Sequence, residues 1–318
     1  MTTDTCTDKP PPSMARPNRS ALLGSLLCVA SAALFSSKAI SIKLAFQYGV
    51  DATTLLALRM AFTLPFSLVI LWLQWSRRKS QAHHLCSKKG LAVIGIGVLG
   101  YFIASLLDFI GLSYISAQLE RVVLFSYPLL VVLLGCSLFG MTFHRPLLWT
   151  IPCCWLGIAI SMWSELSINS EGTLTGVLLV LASAVCFAFY TLCSKHMIQW
   201  FGAGIFSSLV MSAASAVALV YYAVTADLVT LLEQPMAVYG HAVYMAIMAT
   251  VIPGYLFSES IRRIGADQAS VTSSVGPVST AIMAYLILNE PFGWGQAIGL
   301  LMVTASVLWL TLNQRAKA

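Results

Sequence analysis

After a polar start, the chain alternates long apolar runs with short hydrophilic breaks. A bilayer core takes about 20 apolar residues per helix. Runs of that order, some barely long enough, cover Ala21–Ala45, Thr53–Gln74, Leu91–Tyr114, Ala117–Phe139 and Leu147–Trp163. They continue through Thr175–Ile198, Ala203–Val224, Met236–Ile261, Asp267–Leu288 and Trp294–Leu312. The pattern predicts an all-α membrane protein of ten transmembrane helices. Several breaks are only a few residues long, so neighbouring spans must form antiparallel hairpins. Residues 1–19, with Pro10, Pro11, Pro12 and Pro17, read as a disordered tail. The run that follows is too long for a cleaved signal peptide and has no small-residue cleavage site.

Composition agrees with lipid as the solvent. Charged residues make up 9% of the chain and hydrophobic residues 58%, with a mean hydropathy of +0.83. So few charges cannot coat a water-soluble protein of this length. The net charge of +6 does not point to nucleic acid, because of where the bases lie. Arg77, Arg78, Lys79, Lys88 and Lys89, then Arg145, then Lys195, then Arg262 and Arg263 fall in alternate connections. The tails add Lys9, Arg16, Arg19, Arg315 and Lys317. The opposite connections hold Asp51, Glu165, Glu171, Asp227, Glu233 and Glu290 and almost no bases. Bases accumulate on the cytoplasmic side, so both termini are expected in the cytoplasm and the number of spans is expected to be even. The eight cysteines, among them Cys28, Cys136, Cys153, Cys154, Cys186 and Cys193, lack the spacing of a metal site or disulfide framework.

The two halves resemble each other. Leu23–Gln47 aligns without a gap to Thr175–Gln199, pairing Gly24 with Gly176, Ser31 with Ser183, Phe35 with Phe187, Lys43 with Lys195 and Gln47 with Gln199. At nearly the same offset Ala117 pairs with Ala266, Val122 with Val271 and Pro128 with Pro277. Lys, Gln and Pro are rare letters in membrane helices, which argues against chance. Two units, 20–164 and 175–313, are expected. Five spans is an odd number, so the second copy enters the membrane from the opposite side. Inverted repeats of this kind place a substrate site at their interface near the midplane.

These features resemble the EamA-type permeases of the drug/metabolite transporter superfamily. The resemblance is carried by Gly24 to Ala32 and Gly176 to Ala184, and by Tyr114-Ile115-Ser116-Ala117, Leu119-Glu120-Arg121 and Tyr127-Pro128. It extends to Asn289-Glu290-Pro291, where the family often has an acidic residue closing the ninth helix; the first half departs there with Gly140-Met141-Thr142. The resemblance implies a bacterial inner-membrane transporter, most often for amino-acid or drug-like efflux, and names no substrate.

Charges within spans are costly and therefore point to function. They are Lys38, Arg59, Asp108, Glu120 and Arg121, with Glu259 and Asp267 near the cytoplasmic face. Ser31, Phe35, Lys38 and Ile42 share one helical stripe, as do their counterparts Ser183, Phe187, Tyr190 and Ser194. A pseudo-twofold facing these stripes gives a path in which Lys38 holds a solute carboxylate and Phe35, Phe187, Tyr190 and Tyr127 hold its apolar body. The alternative is that Lys38 snorkels to the outer interface. Arg121 is placed to pair with Asp108, and Glu120 with Lys38 or Arg59. These four groups, Arg59, Asp108, Glu120 and Arg121, form either an ion-pair gate or a coupling site in which Glu120 carries the proton. Pro128 and Pro277 are the expected hinges, with Ala269, Ser273 and Gly276 beside the second. Glu259 is expected to pair with Arg262 or Arg263, and Asp267 to cap the ninth helix.

Two motif matches carry no function. Gly95-x-Gly97-x-x-Gly100 fits a dinucleotide fingerprint but has no strand before it, and reads as a packing face. Asn18-Arg19-Ser20 lies on the wrong side for glycosylation, and His83 and His84 sit in a solvated basic loop. No cofactor, metal site or catalytic triad is read. The expected function is export of a small organic solute across the lipid bilayer by alternating access, with protons as the possible driving ion. Sugar-phosphate or nucleotide-sugar exchange is the weaker option within the superfamily. Outside it stand a non-transporting sensor or assembly partner and an intramembrane enzyme.

Overall fold

The computed structural model describes residues 19–77, 88–138, 140, 147–166, 172–273 and 275–315. Among them the fold is helical throughout, with no strand. The tail to residue 18, including Asn18, and the loop with His83 and His84 lie outside the described residues.

The apolar runs become helices where they were expected. The first two spans are α1 (Arg19–Phe46) and α2 (Ala52–Arg77). The third is α3 (Lys88–Gly97) and α4 (Ala104–Tyr114), joined by a π-helical turn, Val98–Ile103. The fourth is α5 (Ala117–Leu124) and α6 (Tyr127–Leu138), and α7 (Leu147–Leu166) follows. The second half opens with α8 (Thr173–Phe201) and α9 (Ala203–Thr225), then a single turn, α10 (Leu228–Leu232). Next, α11 (Met236–Ala246) and α12 (Ile252–Thr272) flank a second π-helical turn, Ile247–Val251. The chain closes with α13 (Val275–Leu288) and α14 (Trp294–Arg315). Seven described stretches are long and apolar enough to cross a bilayer, fewer than the ten predicted; Val275–Leu288 and Trp294–Trp309 are shorter apolar helices.

Local chemistry sets the ends. Asp51 caps α2, its carboxylate accepting from the Thr54 N–H at 2.9 Å. Burial works to raise the Asp51 carboxyl, but donors from Thr53 and Thr54 outweigh it and hold it below the ordinary value. Gly202 alone joins α8 to α9 with φ of 77°, a left-handed backbone that a side chain disfavours.

Two boundaries differ from expectation. The fourth span breaks at Phe125–Ser126, just before Pro128. Pro128 has no N–H to continue the ladder, and Ser126 closes the gap by donating from Oγ to the Val123 carbonyl at 2.7 Å. The second difference is that α12 runs on to Thr272, through the polar stretch where the pattern predicts a loop. Polarity alone does not break a helix. Arg262 and Arg263 are good helix formers, and Arg263 pairs with Glu259 at 2.7 Å, one turn back. Asp267 therefore sits within a helix rather than at its start, and α13 begins at Val275. The side chains of Asp267, Arg262 and Ala269 lie outside the described residues, as do those of Lys195 and Gln199.

Packing runs across the halves. Helix α1 lies along α12 and α13, and its counterpart α8 lies along α4, α5 and α6. Helix α2 packs on α9, and α7 on α14. The last pair approaches through small residues: a Cβ on Gly157 would stand 2.9 Å from the Gly299 carbonyl oxygen. Gly97 meets Val210 and Gly100 meets the Tyr190 side chain, so the glycine-rich run is a packing face. Polarity is inverted relative to a water-soluble protein. Trp294 and Trp149 are 87% and 80% exposed, whereas Ser31, Ser36, Arg59, Asp108 and Glu120 are buried. Lipid wets the outside and the polar groups face inward.

Candidate functional site

The buried polar groups converge where the halves meet. Ser31 of α1 donates to the Pro253 carbonyl at 2.7 Å, just after the π-helical turn of the second half. Its counterpart Ser183 of α8 donates to the Ala104 carbonyl, also at 2.7 Å, just after the π-helical turn of the first. π-Helical turns redirect a helix by one residue and recur at functional sites. Here a residue just after each turn presents its carbonyl to the other half's serine.

Beside these contacts lie the five intramembrane charges. Lys38 Nζ donates to Asp108 Oδ2 at 2.5 Å; Lys38 is 15% exposed at its side chain and Asp108 2%. Lys38 therefore does not snorkel. The expected Arg121–Asp108 pair is replaced, because the Lys38 stem reaches across from α1 to α4. Arg121 instead donates from Nη2 to the Phe35 carbonyl at 3.1 Å, and its Nε stands 3.8 Å from Glu120 Oε2. Glu120, expected on Lys38 or Arg59, makes no closer contact than this to a base among the described residues. Its carboxyl lies within electrostatic reach of Asp108. Glu120 Oε1 and Oε2, Asp108 Oδ1 and Arg121 Nε make no hydrogen bond to the described residues. Buried polar atoms are almost always paired, and four such atoms stand together in this one cluster.

Arg59 stands apart from this cluster. Its Nε donates to Thr250 Oγ1 at 3.2 Å, its Nη1 to Ser105 Oγ at 3.5 Å, and its guanidinium lies 5.4 Å from the centre of the Phe109 ring.

The expected aromatic residues do come together. Tyr127 and Phe187 meet edge to face at 5.4 Å, and Phe187 stacks on Tyr190 at 5.7 Å. The row extends beyond the expected set, to Phe125 beside Tyr127 and to Tyr101 and Phe206 around Tyr190. Lys38 and Tyr190, expected to line one path, have different partners: Asp108 for the first, these rings for the second. Phe35 enters through its carbonyl. Pro128 and Pro277 sit in the first turns of α6 and α13, each directly after a break in its span.

One part of the region had no counterpart in the expectations. Both oxygens of Glu165, at the end of α7, accept from Ser116, from its N–H at 2.7 Å and its Oγ at 2.6 Å. Glu290, just after α13, accepts from the Ala117 and Gln118 N–H groups at 2.9 and 3.3 Å. Two carboxylates thus hold the positive end of α5. Burial pushes the Glu290 carboxyl above its ordinary value of 4.5, with the Ala117 N–H working against it. The folded state therefore holds that proton more tightly than the unfolded chain, and its contribution to stability falls as pH rises from 4.5 through the raised value. Glu290→Gln is expected to flatten this part of the melting-temperature profile in detergent; an unchanged profile would show that another group sets it.

A helical chain with several membrane-crossing segments and buried charge at its centre has the make-up of a multi-pass membrane transporter. The EamA-like transporter family model matches residues 22–163 and again 174–312, and the chain belongs to that family. It is 29% identical over 296 residues to the uncharacterized transporter YcbK of Bacillus subtilis, covering 88% of this chain and 90% of that one. It is 26% identical over 257 residues to the uncharacterized transporter YyaM of the same organism, covering 79% and 82%. Over 159 residues, 49% of each chain, it is 27% identical to the uncharacterized inner membrane transporter YicL of Salmonella typhimurium. A solved crystal structure shares the fold, with a TM-score of 0.63 at 16% identity, covering 95% of this chain and 99% of the other.

Proposed function

We propose that the protein is a secondary transporter that exports small organic solutes, anionic or zwitterionic, across the bacterial inner membrane by alternating access. The observation that carries this is the set of five charged side chains at the junction of the two halves, Arg59, Asp108 and Glu120 buried and Lys38 and Arg121 nearly so, in a chain that belongs to a transporter family. Charge is kept at membrane depth where it meets a solute, an ion or a counter-charge.

The architecture proposed is ten spans in two inverted repeats, 20–164 and 175–313, with both termini cytoplasmic. Four observations support it. Helix α1 packs on the second half as α8 packs on the first. Ser31 and Ser183 reach matching carbonyls. The spans holding Pro128 and Pro277 break at matching points. One family model matches the chain twice. In this reading the halves rock about the charge cluster, the spans bend at the two prolines, and Glu120 carries the proton that drives the solute. Phe187, Tyr190 and Tyr127 receive the apolar part of the solute.

The test is uptake by proteoliposomes of labelled amino acids and organic acids, with and without a pH gradient, against protein-free liposomes. Saturable uptake of at least one solute is expected. Flux equal to the protein-free control for every solute, from monodisperse protein, would favour a sensor or assembly partner instead.

A further inference from the structure

Three bases and two acids share the buried junction: Lys38, Arg59 and Arg121 against Asp108 and Glu120. Lys38 is neutralised by Asp108 at 2.5 Å. Arg121 borders Glu120 at 3.8 Å. Arg59 is the base of these three without an acid beside it. It is 4% exposed and, among the described residues, has no carboxylate within salt-bridge distance, although the charge of Asp108 reaches it from further away. A buried guanidinium without a counter-charge costs several kcal/mol. Hydroxyls and a ring face offset part of that cost, and neither supplies a negative charge.

Arg59 is held from both halves. Thr250 lies in the π-helical turn Ile247–Val251, and Ser105 follows the π-helical turn Val98–Ile103. One guanidinium therefore bonds a hydroxyl from each half, within one turn and just after the other. The Ser105 contact, at 3.5 Å, is at the limit of a hydrogen bond, so an incoming acceptor displaces it readily. The Nε and Nη1 bonds use two of the five guanidinium N–H donors, and the planar fork suits a two-oxygen acceptor. Phe109 lies against the guanidinium, and Tyr101, whose hydroxyl is within electrostatic reach of Arg59, leads into the ring row at Tyr190.

We infer that Arg59, held in place by Thr250, whose own hydroxyl donates to the Met245 carbonyl at 2.8 Å, and flanked by the Ser105 hydroxyl, is the anchoring site for the carboxylate of an organic acid or amino acid, whose apolar part lies towards Tyr101 and Tyr190. The Lys38–Asp108 pair is then a fixed structural charge pair rather than the solute anchor. Because Arg59, on the first half, bonds Thr250 in the π-helical turn of the second, a carboxylate that competes for it loosens the contact between the halves. The inference rests on the transport reading for its role, but the site is tested without flux.

The test is thermal stabilisation of the full chain in detergent. The probes are acetate, benzoate, phenylacetate and phenylalanine, with phenylacetamide as the neutral match to phenylacetate. At least one carboxylate is expected to raise the melting temperature saturably, and phenylacetamide is not. Arg59→Gln, checked for monodispersity, is expected to raise the half-saturating concentration by about tenfold or more, the loss of a charge-assisted pair. Arg59→Lys, which keeps the charge but not the fork, is expected to fall between the two. No stabilisation by any carboxylate, equal stabilisation by acid and amide, or an unchanged half-saturating concentration in Arg59→Gln would each overturn the site. If carboxylates bind as expected but no solute crosses the bilayer, the transport reading fails and the site stands. If transport proceeds in Arg59→Gln with unaltered KM, the site fails and transport stands.

Discussion

Asp108→Ala is expected to destabilise the protein by about 3–5 kcal/mol, the cost of leaving a buried charge without its partner. The substitution strands the Lys38 ammonium in a setting where water is scarce. Lys38→Ala is expected to be comparably harmful, because it removes the direct counter-charge of Asp108 and leaves that carboxylate beside Glu120. The double variant Lys38→Ala/Asp108→Ala is expected to recover much of the loss, since an apolar replacement of a buried pair is often near neutral. Unfolding in a detergent mixture, followed by circular dichroism, gives all three values and the coupling between the sites. Single variants that lose less than about 1 kcal/mol, the range of an exposed pair, would show that water reaches the pair and that it is not the fixed element described above. The cycle also separates folding from binding, because a loss of transport in Lys38→Ala alone would have either cause.

Glu120→Gln is expected to abolish uptake driven by a pH gradient while leaving solute exchange without a gradient in place. The argument starts from burial. Glu120 is fully buried, neither carboxyl oxygen is hydrogen-bonded among the described residues, and it adjoins both Asp108 and Arg121. A carboxyl group so placed gains little for the fold, and the proposed role for it is to carry the proton. Glutamine keeps the shape and removes the proton site. Gradient-driven uptake equal to wild type would transfer coupling to Asp108 or to another ion. Loss of exchange along with driven uptake would make Glu120 part of solute binding rather than coupling.

The helices were legible in the sequence because a run of about twenty apolar residues has few other fates. The break before Pro128 was legible in kind, since proline cannot continue the ladder; its exact site at Phe125–Ser126 depended on how Ser126 could close the gap. The continuation of α12 to Thr272 was not legible, because a polar stretch without proline is as good a helix as a loop until its partners are known. In the site, the residue types were visible and the pairing was not. Whether Asp108 meets Lys38 or Arg121 is settled by the rotation of α4 between α1 and α5 and by the reach of the lysine stem, neither of which leaves a mark in the spacing. Thr250 and Ser105 were hidden for a different reason: hydroxyls are common in membrane helices and cost little, so only their position at the two π-helical turns sets them apart. Glu165 and Glu290 were read as outer-side charges, and their shared hold on the start of α5 joins segments far apart in sequence.

The measurement closest to the central claim is counterflow. Proteoliposomes are loaded with an unlabelled solute found to be taken up, diluted into a trace of the labelled form, and followed with no ion gradient. A single buried site that opens to one face at a time predicts a transient accumulation of label above its outside concentration, abolished when the internal solute is omitted. Uptake that rises only to equilibrium, at a rate independent of internal solute, would describe an open pore and contradict alternating access.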